Sequence, residues 1–292
     1  YLAAYQQPTG SRFGGDALYN AENRKYGSML TYFYTAKDGK EKDSLTLKIY
    51  DGDRQIRTLK RKAPKETGFH RWYWSLNEKG VERPSRSESK RKREPSGVTV
   101  KPGSYKVVLE SKDNSSETEV TVITDPRLEI SQKAIDDSYN YSKKIEGYTE
   151  QTTAAVNQLK ASKKTLSSYK SRIEKKDKEA HKELLETIAE HTKQIDSILD
   201  IFIGREDKRQ GIVRNPENSV LKRIYSASRY VRSRPTGITT TEEKLLEHLK
   251  NDLQTALQQT NAFYDEHWEA VKAKIEAVEL SDFKAIERFE ID

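Results

Sequence analysis

Two hydrophobic periods divide the chain. From Ser44 to Asp51, Leu45, Leu47 and Ile49 alternate with Thr46, Lys48 and Tyr50. This two-residue period puts one face of a strand against a core and the other toward water. MLTYFY at 29–34 is a β-rich run, and QIRTL at 55–59 follows the Asp51-Gly52-Asp53 turn. In FHRWYWSL (69–76), alternation places His70, Trp72, Trp74 and Leu76 on one face and Tyr73 on the other. After a polar stretch, Lys101-Pro102-Gly103 marks a turn. SYKVVLES (104–111) and ETEVTVIT (117–124) then flank an Asp113-Asn114 turn. Short strands at this spacing predict an immunoglobulin- or fibronectin III-like β-sandwich over 28–126, closed by Asp125-Pro126. Residues 1–27 hold no sustained period and read as a linker from an upstream domain.

Past Ser131 the spacing becomes three and four. Ile135, Tyr139, Ile145, Thr149, Val156, Leu159, Leu166 and Ile173 predict one helix of ~40 residues, with Ser131 as N-cap. A second stripe runs from Ala180 through Ile188, His191 and Ile195 to Phe202 and ends at Gly204. Asn215-Pro216 predicts the start of a short third helix, with Asn as cap and Pro in the first turn. Thr240 and Glu243 predict a capping box for a last long helix carrying Leu249, Leu253, Phe263 and Val271. Short connections between long helices predict an antiparallel helical bundle over 127–292, with the first, second and last helices sharing a core.

Composition narrows the chemistry. Of 292 residues, 34% are hydrophobic and 34% charged, a balance expected of helices with narrow apolar stripes. No apolar run approaches the ~20 residues of a membrane span. The chain has no cysteine, which excludes disulfides, thiolate catalysis and cysteine-bound zinc. The net charge of +7 lies in the first half: residues 1–126 hold 24 Lys/Arg against 17 Asp/Glu, and residues 127–292 hold 29 of each. Part of the excess sits in RSESKRKR, Arg86 to Arg93. It has no aromatic partner and falls between two strands, so it reads as a soluble mobile loop, and no nucleic-acid partner is expected.

None of the five histidines forms a HExxH-type ligand pair, and no Gly-rich phosphate loop precedes a helix. The carboxylates lie mostly beside Lys or Arg. No catalytic, cofactor or metal residues are therefore assigned, and the fragment is expected not to be an enzyme. The candidate ligand or partner contacts are Trp72 and Tyr73, as an aromatic platform, and Arg91, Lys92 and Arg93, as a basic one.

The order of several short motifs resembles the C-terminal region of bacterial sortilin-like or BNR-repeat β-propeller proteins, often labelled glycosyl hydrolases. The motifs are Ala21-Glu22-Asn23 with Tyr26-Gly27-Ser28, then Leu47-Lys48-Ile49-Tyr50-Asp51 and Ile56-Arg57-Thr58-Leu59. Trp74-Ser75-Leu76, Pro102-Gly103-Ser104-Tyr105 and Asp125-Pro126-Arg127 follow, and the likeness extends from Trp268-Glu269-Ala270-Val271-Lys272 to Phe283-Lys284. Arg24-Lys25 stands where that pattern has two prolines, and Ser75 where it has Asp. The β part also resembles the modules of flagellar hook-capping proteins. The resemblance implies a secreted, periplasmic or cell-surface bacterial protein. This chain would be the non-catalytic accessory module that braces the upstream propeller or mediates association with a protein partner. The alternative is a carbohydrate-binding module serving an attached glycoside hydrolase.

Overall fold

The computed structural model describes residues 25–36, 44–87, 93–112, 114–206, 218–234 and 236–280. Strands fill the first part: β1 (Ser28–Tyr34), β2 (Ser44–Asp51), β3 (Arg54–Lys62), β4 (Gly68–Trp74), β5 (Asn77–Lys79), β6 (Ser96–Thr99), β7 (Gly103–Glu110) and β8 (Ser115–Val122). All ladders are antiparallel. One sheet has the order β3-β2-β7-β8, and β1-β4 and β5-β6 form two-stranded sheets. The alternation in 44–51 places Leu45, Leu47 and Ile49 in a core that also takes Trp72 and Trp74 from β4 and Tyr105 and Val107 from β7. Residues from the β1-β4 and the four-stranded sheets thus bury one another.

Trp74 is fully buried and meets Tyr105 edge to face at 5.5 Å. Both rings spend their polar atom on nearby backbone. Trp74 Nε1 donates to the Asn77 carbonyl at 3.0 Å, and Tyr105 Oη donates to the Lys101 carbonyl at 2.7 Å. Leu76 is the residue that turns the chain out of β4. It has φ 52°, a conformation costly for a branched side chain, and its carbonyl accepts the Val100 N–H at 2.9 Å. Its side chain packs half-buried against the core. Gly27 is needed on both steric grounds: its φ is +111°, and a Cβ there would lie 2.2 Å from the Trp74 carbonyl oxygen.

The helices are α1 (Gln132–Asp177), α2 (Lys182–Ile203), α3 (Val220–Ser233), α4 (Thr240–Phe263), a π turn (Tyr264–Trp268) and α5 (Glu269–Glu276). Ser131 caps α1 as expected, accepting the Ala134 N–H at 3.2 Å. The stripe assigned to α2 begins later than its apolar pattern suggested: Ala180 is an exposed turn residue whose N–H bonds Asp177. α3 starts at Val220, with Ser219 accepting the Lys222 N–H at 3.3 Å, whereas the expected Asn215-Pro216 cap lies outside the described residues. α4 already includes Thr240, so the N-cap is Thr239 and the third helical residue is the buried Glu242, one step earlier than the Thr240–Glu243 box. The π turn widens the helix after Phe263 and returns Val271 and Ile275 to the buried face.

The chain forms two compact units. The first comprises residues 1–82, 89–146 and 230–239; the second comprises 83–88, 147–229 and 240–292. The strands and the start of α1 thus belong to one unit, and the remaining length of α1 packs with α2, α4 and α5 in the other. In that second unit Val156, Leu159, Leu166 and Ile173 of α1 are buried, as are Ile188, Ile195 and Phe202 of α2.

Deleting the Trp74 ring leaves a large void and strands the Asn77 carbonyl. Trp74→Ala is expected to cost about 3–5 kcal/mol and Tyr105→Phe about 1 kcal/mol in denaturant unfolding.

Candidate functional site

Two arrangements of side chains stand out in the first unit: an exposed aromatic face and a buried carboxylate. The face is the outer side of the β1-β4 ribbon, where register pairs Met29 with Tyr73, Thr31 with Arg71 and Phe33 with Phe69. Phe69 is 78% exposed, Phe33 58% and Met29 41%. The two phenyl rings meet at 5.2 Å with 74° between their planes. The Lys25 ammonium lies 5.4 Å from the centre of the half-buried Tyr73 ring. Trp72 points the other way, into the core, under the Arg61 guanidinium at 4.4 Å. Arg61 also covers Tyr32 and donates to the Arg71 carbonyl at 3.0 Å, and burial pulls its pKa below the ordinary value.

The expected contacts therefore separate. Trp72 is core, Tyr73 is on the outer face, Arg93 is exposed, and Arg91 and Lys92 lie outside the described residues. Phe33 and Phe69 were not singled out from sequence. Their signal was a run, MLTYFY, with large apolar side chains on both faces, which a strand with one solvated side does not need.

Glu78 is 5% exposed, on β5. Arg54 of β3 donates to both carboxylate oxygens, at 3.3 and 3.0 Å, Tyr139 Oη of α1 donates at 2.7 Å, and Lys143 Nζ of α1 lies at 3.4 Å. Burial alone would raise the Glu78 pKa. The hydrogen bonds from Arg54 and Tyr139 and the charge of Lys143 outweigh it and hold the group below its usual value. One residue pair further, Lys143 bonds Glu146 at 2.6 Å, and the other Glu146 oxygen accepts the Val98 N–H of β6 at 3.1 Å. Gly97 makes room for that carboxylate, since a Cβ there would be 2.7 Å from it. Held as an anion by these donors, the Glu78 carboxyl suits a strut better than a general acid.

The sequence predicts a mobile loop over Arg86–Arg93; its described start is instead tied down, and residues 88–92 lie outside the described residues. Pro84 is buried, Arg86 bonds Asp200 and the Gly204 carbonyl, and Lys160 donates to the Ser85 and Ser87 carbonyls at 3.0 and 3.2 Å. In the same unit His191 and His267 stack at 5.3 Å beside Phe263, and burial first, then the second imidazole, lower the His191 pKa. Among the described residues no group of three or more His, Asp or Glu side chains could hold a metal ion, and no helix is long and apolar enough to cross a membrane.

No protein-family model, curated protein or solved structure matches this chain.

The Glu78 cluster makes stability depend on pH in a defined direction. Its folded pKa is depressed, so its contribution is complete above the unfolded carboxyl value of about 4.3 and is lost as pH falls through the folded value. The difference in melting temperature between the native chain and Glu78→Gln is expected to shrink as pH drops from 6 toward about 3. A difference that stays constant over that range would place the acid-sensitive contribution elsewhere.

Proposed function

We propose that this chain is a non-catalytic accessory module of a larger exported protein: an immunoglobulin/fibronectin-like sandwich joined to an antiparallel helical bundle. The order β3-β2-β7-β8 with β1-β4 apart supports the sandwich, because the chain crosses between sheets from β1 to β2 and from β3 to β4 while residues of both sheets share one core. Tyr105 supports it further. A tyrosine near the start of such a strand, bonding backbone four residues upstream, is the corner device of that class.

The observation that carries the functional reading is the exposed Met29, Phe33 and Phe69 on a two-stranded ribbon. An apolar patch of this kind is what a module that packs against a neighbouring domain presents. The neighbour proposed is the upstream β-propeller that the motif order implies. The carbohydrate-binding alternative asks for coplanar exposed rings; Phe33 and Phe69 stand at 74°, and Trp72 is buried, so a flat sugar platform is less well supported.

The test uses the natural full-length protein and the fragment side by side. Hydrogen exchange at 29–33 and 69–73 is expected to be slower in the full-length protein, and Phe33→Ser with Phe69→Ser should remove that difference. The fragment should turn over no chromogenic glycoside or ester. Equal exchange in both proteins, or turnover well above the blank, would overturn the reading.

A further inference from the structure

β1 and β4 read SMLTYFY and GFHRWYW, and Arg71 is the one Asp, Glu, Lys or Arg in either strand. The ladder fixes where that charge lies. Three rows cross the outer face of the ribbon: Phe33 with Phe69, Thr31 with Arg71, and Met29 with Tyr73. Arg71 therefore occupies the middle row, between the two exposed phenyl rings and the Met29–Tyr73 pair. Its side chain is exposed, and among the described residues no carboxylate answers its charge. Arg61 bonds its backbone carbonyl and leaves the guanidinium alone. Lys25, over the Tyr73 ring, likewise has no acidic partner among the described residues. All these residues belong to the first unit.

We propose that the surface covering this face presents an Asp or Glu carboxylate ringed by apolar side chains, and that Arg71 is the contact that selects it. The inference rests on the reading that a neighbouring domain packs on the ribbon, and adds the chemistry of that neighbour. A wholly apolar cover would take the guanidinium out of water with nothing to balance it. A backbone carbonyl would fill its donors and leave the charge. A carboxylate does both, and the planar fork of the guanidinium matches its two oxygens. An arginine set among aromatic side chains is also the composition of an interface centre. A lipid surface fits less well. There the apolar side chains go deepest and the cations reach outward to the headgroups from the rim, whereas Arg71 stands in the middle row.

The test reads hydrogen exchange at 29–33 and 69–73 in the natural full-length protein. Arg71→Gln is expected to speed it by about tenfold or more, the effect of leaving one member of an enclosed charge pair without its partner. Arg71→Lys should keep part of the protection, and Arg71→Glu should remove it as fully as Phe33→Ser with Phe69→Ser. The melting temperature of this chain by itself should be unchanged by Arg71→Gln, which separates lost docking from lost fold. If the two Phe→Ser substitutions release the ribbon and Arg71→Gln does not, the apolar docking stands and this inference falls. If the ribbon exchanges no more slowly in the full-length protein than in this chain, both fall. Co-sedimentation of this chain with vesicles of phosphatidylserine and phosphatidylcholine, lost in Arg71→Gln, would make the partner a lipid surface and would also overturn the proposal.

Discussion

The first unit depends on a buried carboxylate. A charge taken from water into a protein interior costs several kcal/mol unless partners surround it. Glu78 is surrounded, by Arg54 from one strand and by Tyr139 and Lys143 from the start of α1. Those partners come from elements far apart in sequence, so the cost of burial is offset only when β3, β5 and the first turns of α1 are in place together. Arg57 extends the same logic, donating to the backbone carbonyls of Glu78 and Glu94 at 3.3 and 3.2 Å and holding the short β5-β6 region against β3. The helix start is thereby part of the β unit, a division that the change of hydrophobic period at Ser131 does not announce.

How much of this was legible follows from what hydrophobic period can and cannot encode. β2 was readable residue by residue because one of its faces is core and the other is wet. α1 was readable because its stripe and its Ser131 cap agree. β5 and β6 were missed. They are three and four residues long, and what shapes them is backbone proximity at Gly80 and Gly97 and the charge of Glu78, none of which leaves an apolar pattern. The α4 cap was misplaced by one residue because Thr239, Thr240 and Thr241 offer three equivalent hydroxyls in a row. The anchoring of Arg86 was not legible because its partners, Asp200 and the Gly204 carbonyl, are far away in sequence.

Functional legibility followed the same division. Tyr73 was placed on the outer face by alternation, but Phe33 and Phe69 reveal their role only when register pairs them. On the ribbon the chain leaves Met29, Phe33 and Phe69 exposed, while in the same unit the buried Glu78 carboxylate is surrounded by donors.

The central physical claim is that Glu78 couples the strands to α1. A double-mutant cycle of Glu78→Ala and Tyr139→Phe, followed by denaturant unfolding, tests it directly. The account predicts that the two losses overlap, with a coupling of about 0.5–3 kcal/mol, because each substitution removes the same hydrogen bond. Losses that simply add would contradict it and leave Glu78 as a local feature of the β5 strand.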